Sequence, residues 1–253
     1  MTAGGTSPQT KMALKSYKAR GIVLGTLKYG EKGLIVHMLT DVCGRQSYMI
    51  QGIRPTAKGS RAALLQPMFA VEFEGLQSPK MSMHRLKDLA PGIVLQSTPF
   101  DVRKSTMALF MAEVLYRLIR DNEMSHDLFD FVWASVLALD ALEEGVANFH
   151  LWFLANLSRP LGFSPDNEYI EGAWLDIRDG HFTPHALMPS MALSPENARI
   201  LHDMLECDVR YLGEIGLNRT ERVTFLEAML KYYAYHLDSI RSVESLRILQ
   251  EVF

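Results

Sequence analysis

The chain has 253 residues, of which 48% are hydrophobic and 22% charged, a composition typical of globular proteins and not of disordered ones. Its apolar runs are too short to span a bilayer, and its N-terminus, rich in Gly, Ser and Thr, lacks the apolar core of a signal peptide. Two cysteines, Cys43 and Cys207, are too few for a disulfide framework or a four-thiolate metal site. These features favour a cytoplasmic protein.

The net charge of −3 conceals an uneven distribution along the chain. Residues 1–95 contain 13 Lys and Arg against 5 Asp and Glu, which gives a local charge of +8. The remaining residues contain 13 basic side chains against 24 acidic ones, a charge of −11. Charges of domains also scatter without functional meaning. A split of this size nevertheless favours two regions with different partners, the first of them a polyanion.

The first part of the chain is predicted to form short strands, after a loose leader at residues 1–14. Runs rich in β-branched and aromatic residues are separated by turn signals such as Asp41–Gly44 and Pro55–Gly59. The predicted strands are Gly21–Leu27, Leu34–Thr40, Arg45–Ile53, Met68–Glu74 and Met81–Asp88, with a helical turn at Leu64–Pro67. Five short strands in so few residues suit a small closed or partly closed barrel, because closure removes exposed sheet edges.

After residue 99 the spacing of apolar residues becomes that of helices, the first of which is predicted to end near Asp121. The predicted N-caps of later helices are Ser125, Ser194 followed by Pro195, and Asn218 with Glu221 in a capping box. A further helix is marked by Phe149, Trp152, Phe153 and Leu157. The helix after Asn218 repeats Val223, Leu226, Leu230, Tyr233, Leu237 and Ile240, which predicts its core-facing stripe.

A β-hairpin is predicted within the helical part. Trp174–Arg178 and His181–Thr183 have strand composition, and the Asp179-Gly180 pair between them favours a tight turn. The sequence therefore predicts an α+β protein in which a barrel is followed by helices with a small β insertion.

The basic first part is the main candidate for a binding site. Small barrels bind single strands through a positive groove and aromatic platforms, and Tyr17, Tyr29, Tyr48 and Phe69 are available, although Tyr48 and Phe69 fit the core better. The cations also include Lys18. The residues predicted to bind nucleic acid are Lys15, Arg20, Lys28, Lys32, Arg45, Arg54, Lys58 and Arg61. The alternative is a solvated basic surface.

The sequence provides no recognisable catalytic or metal-binding motif. His181 and His185 are separated by Pro184, which argues against a shared helix face, and no zinc-protease, phosphate-loop or dinucleotide signature occurs. We therefore expect no catalytic residue, no metal and no cofactor. A hydrolase with a site assembled from distant His and Asp residues is the alternative from the class of enzymes.

A second candidate site lies on the first long helix. Arg117 and Arg120 near its end complement the helix dipole, which is the simpler interpretation. Beside the apolar Phe110 and Val114, the same two cations could instead receive an acidic peptide from a partner.

Short motifs along nearly the whole chain, from about Tyr17 to Leu249, resemble the RecO recombination-mediator family. Near the start these are Gly21–Leu24, Tyr29–Lys32, Leu39-Thr40, Gly44-Arg45, Gly52 with the basic loop to Arg61, and Leu65–Pro67. Near the end they are Leu217–Arg219, Arg222, Lys231–Tyr233, His236-Leu237 and Ser245–Arg247. No single motif is decisive, but their combination in one order is specific.

The resemblance implies an N-terminal OB-fold at residues 15–92 and a helical domain at residues 93–253, with the β-hairpin insertion near 168–184. It also implies a recombination mediator in DNA repair that binds single- and double-stranded DNA, anneals complementary strands and helps load the recombinase RecA onto DNA coated by single-stranded DNA-binding protein. The implied partners are RecR and the acidic C-terminal tail of the coating protein, at the bacterial nucleoid. The alternative binding function is an RNA-binding or transcription-associated adaptor with the same barrel.

One segment departs from the family pattern. Many members carry four zinc-binding cysteines around the segment that matches Gly162–Phe182, and this chain has no cysteine there. We expect packing by Trp174 and Phe182 to take the place of a metal ion.

Overall fold

The computed structural model describes residues 15–31, 33–51, 61–77, 83–166, 168–237 and 245–252. Within these ranges the chain forms a five-stranded barrel followed by helices and a small sheet, so the predicted α+β class is confirmed. No helix within these ranges is long and apolar enough to cross a membrane.

The barrel is closed and has the strand order of an OB-fold. Its strands are β1 (Lys15–Tyr29), β2 (Gly33–Thr40), β3 (Gly44–Gln51), β4 (Ala70–Gln77) and β5 (His84–Pro91), which follow one another around the barrel in the order β1-β2-β3-β5-β4. The long strand β1 closes the ring because its first half pairs with β4 and its second half with β2. All five predicted strands are therefore present, and the first begins earlier than the sequence indicated.

Side chains that point into the barrel form its own core. Val36, Met38, Tyr48 and Val71 are fully or almost fully buried there. Since successive side chains of a strand point to opposite faces, the neighbours of these residues point outward. The register of the five strands therefore determines which residues the barrel presents to its surroundings.

The helical part consists of α1 (Val102–Leu118), α2 (His126–Ala141), α3 (Phe149–Leu157), α4 (Pro195–Glu206), α5 (Arg219–His236) and α6 (Ser245–Val252). The predicted N-caps are confirmed. Ser125 Oγ accepts from Leu128 N, and Ser194 Oγ accepts from Asn197 N. At α5 the capping box is complete, because Asn218 Oδ1 accepts from Glu221 N at 3.0 Å and Glu221 Oε2 accepts from Asn218 N at 2.7 Å.

The buried face of α5 differs from the predicted stripe. The buried residues of this helix are Phe225, Leu226, Met229, Tyr232 and Tyr233. Val223 and Leu230, which the spacing of aliphatic residues placed in the core, are half-buried at its edge. Leu226 and Tyr233 of the predicted stripe are buried as expected, and Ile240 lies outside the described residues. The hydroxyl of Tyr233 donates to Leu154 O at 2.7 Å, and that of Tyr232, which the predicted stripe did not include, donates to Phe163 O at 2.5 Å.

The predicted hairpin is present and belongs to a three-stranded sheet. Strand β6 (Trp174–Asp176) pairs with β7 (Phe182–Thr183) on one side and with β8 (Ala192–Leu193) on the other. Gly180, in the connection between β6 and β7, has a φ of 73°, as expected from the Asp-Gly signal. The third strand is only two residues long, which is too short to show a periodic pattern.

The barrel and the helices share a tightly packed seam. Ile22, Leu24 and Leu39, on the outer face of β1 and β2, belong to the same buried cluster as the helices. At the β2–β3 turn, Gly44 lies directly against the segment that follows α1, and Arg45 O accepts from Asn122 N at 2.9 Å. The outer surface of the barrel is therefore covered on this side and open on others.

We predict that Gly44→Ala destabilises the protein by more than Gly30→Ala does. Both glycines have positive φ, 62° and 64°, so each substitution strains the backbone by about 1 kcal/mol. A Cβ at Gly44 would also lie 2.1 Å from Glu123 O, whereas a Cβ at Gly30 meets nothing within 4 Å. Urea unfolding of both variants measures the difference, and equal losses of stability would contradict the close contact at the seam.

Candidate nucleic-acid interface

A row of outward-facing residues crosses four strands of the barrel. Leu27 pairs with Ile35, Ile35 with Met49, and Met49 with Arg85. We call these four residues the outer row. Their neighbours Leu34, Tyr48, Ile50 and Leu86 are buried in the barrel, which fixes the outward direction of the row.

Three of the four residues of the outer row are apolar, and the row is at least partly open to solvent. Leu27 is 57% exposed, and Tyr29, two residues further along the same face of β1, is 53% exposed. Ile35 and Met49 are half-buried beside them. Exposed apolar side chains that adjoin one another on a strand face favour contact with a partner, and base faces are suitable partners for such a surface.

Arg85 is the cation of this row and was missed by the sequence analysis. It is exposed on β5, between Met49 of β3 and Leu76 of β4. The alternation His84, Arg85, Leu86 within a predicted strand was the available signal, because the buried neighbours on both sides require Arg85 to face outward. Arg85 was not among the eight residues predicted to bind nucleic acid.

Three of the eight residues predicted to bind nucleic acid are exposed and available. Lys15, Lys28 and Arg61 lie at the surface, and within the described ranges none of them forms an ion pair. Another three, Lys32, Arg54 and Lys58, lie outside the described residues. The prediction for all six therefore stays a prediction.

Arg20 is held at the seam. Its Nε donates to Asp41 Oδ2 at 3.0 Å, and its guanidinium lies 5.2 Å from the ring centroids of both Phe129 and Trp133 in α2. The charge of this arginine is therefore balanced by a carboxylate, and its flat group packs on two aromatic rings. Its geometry is that of a contact between the barrel and the helices.

Arg45 forms a second seam contact. Its Nε donates to Asp121 Oδ1 at 2.8 Å, another of its nitrogens donates to Tyr116 O, and its guanidinium lies 4.8 Å from the centroid of the Tyr116 ring. The Arg45 side chain is only 17% exposed. The aromatic partners of Arg20 and the partners of Arg45 lie far from them along the chain, so local sequence patterns do not reveal these contacts. DNA binding by these two arginines stays a prediction.

Two of the predicted aromatic platforms belong to the barrel interior. Tyr48 is fully buried, and its hydroxyl lies 3.0 Å from that of Tyr17, which in turn lies 2.5 Å from His84 Nδ1. Burial lowers the pKa of His84 and raises that of both tyrosines, so the three groups are neutral near pH 7. Tyr29 is left as the exposed aromatic candidate of the predicted set.

The face of the barrel next to the seam carries more carboxylates than cations. A cleft of about 530 Å³ there is lined by Lys18 and Arg20 but also by Asp41, Glu72, Glu74 and Asp88. Glu74 pairs with Lys87 at 3.0 Å. Because the carboxylates offset the cations, this cleft is a poor site for a polyanion, and the outer row is the better candidate.

The predicted peptide site on α1 does not exist as a surface. Phe110 and Val114 are fully buried in the helical core, so they offer no apolar groove. Arg117 is bonded to Glu113 at 2.8 Å, as expected for an i,i+4 pair. Of the four predicted residues, Arg120 is exposed.

No group of three or more His, Cys, Asp and Glu side chains that could hold a metal ion occurs among the described residues. The small sheet is held by other contacts. His181 Nδ1 lies 2.5 Å from Asp166 Oδ2, and the ring of Phe182 packs edge-on against Tyr169 at 5.4 Å. With no cysteine in this segment, the residues present do not suit a zinc site.

Sequence models of two family regions match this chain. The one described as Recombination protein O N terminal matches residues 12–91, and the one described as Recombination protein O C terminal matches residues 99–244. A protein of Bacteroides fragilis named DNA repair protein RecO is 36% identical over 238 residues, which covers 93% of this chain and 98% of that protein. Proteins of the same name from Phocaeicola vulgatus and Flavobacterium psychrophilum are 32% and 31% identical, with the same coverage of both chains.

We predict that Arg45→Ala lowers the free energy of unfolding by about 1.5–3 kcal/mol, the range for hydrogen bonds to charged groups. The exposed Lys28 is the matched control, and Lys28→Ala should change stability by less than about 0.5 kcal/mol. Urea unfolding provides both values. If the two variants were equally stable, Arg45 would not be a seam contact and would again be a candidate DNA contact.

We also predict that the contribution of His181 to stability disappears as the pH rises. The hydrogen bond to Asp166 raises the pKa of His181 above its ordinary value of 6.5. A raised folded-state pKa means that the stabilisation is complete below the unfolded-state pKa and is lost as the pH passes the folded-state pKa. Unfolding of the native chain and of His181→Asn from about pH 5 to pH 9 should give stabilities that converge at high pH; a constant difference would contradict the ion pair.

Proposed function

This chain belongs to the RecO family of DNA repair proteins, and from that premise we propose that it binds single- and double-stranded DNA, anneals complementary strands and helps load the recombinase onto DNA coated by single-stranded DNA-binding protein. The family acts as a non-enzymatic recombination mediator, which sets the hydrolase alternative aside. We assign DNA binding to residues 15–92 and partner binding to residues 93–253.

The observation that carries this proposal is the composition of the outer row. Bases of a single strand can pack against Leu27, Ile35 and Met49 and against the ring of Tyr29, because every base has an apolar face. Arg85 lies at the end of the row, where it can meet a phosphate. OB-folds bind oligonucleotides on the equivalent face.

Further cations lie close in sequence to the strands that form the row. The segment with Arg54 and Lys58 starts after Gln51, which pairs with Gly33 at the β1–β2 turn, and it ends at Arg61. Lys28 and Lys32 flank that turn in sequence. We assign phosphate contacts to these five residues and to Lys15. The charge of +8 in residues 1–95 supports such a role.

Annealing on this surface needs no covalent chemistry. Cations that neutralise phosphates lower the repulsion between two strands and release counterions, so that complementary bases can meet and pair. The protein contributes binding energy and position, and no bond is made or broken.

RecR and the acidic tail of the single-stranded DNA-binding protein are the proposed protein partners, with the recombinase RecA reached indirectly. For the acidic tail, Arg120 is the exposed member of the predicted set. Phe110 and Val114 are withdrawn from the proposal because they are buried.

The test is a salt series of fluorescence anisotropy with labelled single-stranded DNA. Arg85→Ala should weaken binding to all sequences and reduce the slope of log affinity against log salt by about 0.7, the value for one lost phosphate contact on a single strand. Lys87→Ala is the matched control, because Lys87 lies on the same strand but is already paired with Glu74. Its slope should equal that of the native chain.

Two outcomes would contradict the proposal. Equal slopes for the native chain and Arg85→Ala would remove the outer row from the site, and absence of binding at low salt would remove DNA binding itself. The same titration with an RNA of matching sequence separates the alternative, since a preference for RNA would favour recognition of the 2′-hydroxyl.

A further inference from the structure

The helical part contains a groove whose lining residues do not include any of the outer row. It lies between the end of α4 and the segment that runs from the 3-10 turn Val209–Glu214 to the start of α5, and its volume is about 440 Å³. The apolar part is formed by Cys207, Ile215 and Leu217, which are half-buried, and by Tyr211, which is 53% exposed. This volume is in the usual range for binding sites, about 300–1,000 Å³.

The wall formed by the end of α4 is held in place by α3. Trp152 Nε1 donates to Cys207 O at 3.1 Å, and Asn156 Nδ2 donates to Met204 O at 3.1 Å. The side chains that make these bonds come from consecutive turns of one buried helix. This wall is therefore fixed before a partner arrives.

The opposite wall is held in the same way. Asn148 Nδ2 donates to Leu212 O at 3.2 Å and to Ile215 O at 2.8 Å. Gly145 approaches Gly213 so closely that a Cβ at Gly145 would lie 2.4 Å from Gly213 N. With both walls fixed, a ligand loses little binding energy to ordering the groove.

The rim of the groove is acidic. Asp203, Glu206 and Glu214 line it, together with Arg199, whose Nη1 donates to Asp203 Oδ2 at 2.8 Å. The negative potential also acts on Cys207: burial raises the pKa of this thiol, and the carboxylates of Asp208, Glu214 and Asp203 raise it further. The groove is thus an apolar channel with a negatively charged border.

We propose that this groove is a docking site for a cationic peptide segment of a partner protein that inserts an apolar anchor side chain between Tyr211 and Leu217. The negative charge of the rim favours a positively charged segment, and the half-buried apolar floor favours an apolar side chain. An acidic tail is repelled here, so this surface and the surface for the coating protein's tail are different.

The experiment uses the full chain and two fluorescein-labelled peptides. One consists of repeating Lys-Leu-Lys-Phe units, and the other has the same length with each Lys replaced by Glu. The cationic peptide should bind saturably and the acidic one should not. Glu214→Lys should weaken the cationic peptide on the order of tenfold, because reversal replaces attraction by repulsion. Tyr211→Ala should weaken it as well.

A matched control and a local reporter keep the result specific. Glu171 is exposed, lies shortly before β6 and does not line the groove. Glu171→Lys should therefore bind the cationic peptide as the native chain does. Bound cationic peptide should also slow the alkylation of Cys207 by a maleimide and leave that of Cys43 unchanged. Far-ultraviolet circular dichroism confirms that each variant is folded.

Three results would overturn the proposal: no saturable binding of the cationic peptide, equal binding of both peptides, or equal weakening by Glu214→Lys and Glu171→Lys. Protection of Cys207 together with loss of binding in Glu214→Lys would support it. The DNA titration is independent, because none of the groove residues belongs to the outer row.

Discussion

The guanidinium of Arg45, held between the carboxylate of Asp121 and the ring of Tyr116, fixes the barrel against the first helix. Arg20, which is paired with Asp41 inside the barrel, contacts α2 through the rings of Phe129 and Trp133. Each contact combines a charge-assisted hydrogen bond with stacking, a combination that arginine makes and lysine does not. With the barrel fixed in this way, its outer surface is divided into a covered part and an open part, and the open part is where a strand of nucleic acid can lie.

This division decides how the basic charge of the first part of the chain can act. In the cleft next to the seam, Asp41, Glu72 and Glu74 lie beside the cations and offset their charge. On the open side, Arg85 lies beside Met49 and within the described residues has no acidic partner. A net charge counted along the sequence cannot make this distinction, because a cation near a carboxylate contributes little to the binding of a polyanion. The outer row is therefore better support for nucleic-acid binding than the total charge of +8.

Local signals in the sequence predicted most of the fold. Caps such as Ser125 and Asn218 were identified correctly because a cap depends only on residues within one turn of helix. The strands were found because their composition is also local, and the order of the barrel required the family resemblance. Contacts between distant residues could not be predicted in this way: the partners of Arg45 lie more than 70 residues away, and Phe110 is buried in a core that the later helices share. Arg85, in contrast, was predictable, because its outward direction follows from the alternation of its own strand.

The opposite charges of the two parts suit a protein that must hold two kinds of ligand at once. A polyanion is attracted to the barrel and repelled by the helical part, whose charge of −11 discourages a long strand from wrapping around it. The acidic residues that line the groove beside Tyr211, Glu214 among them, likewise disfavour a polyanion there. A cationic partner segment is attracted to the groove and repelled by the barrel. Ligands of opposite sign then do not compete for one surface, and an adaptor can bring them together without a catalytic group of its own.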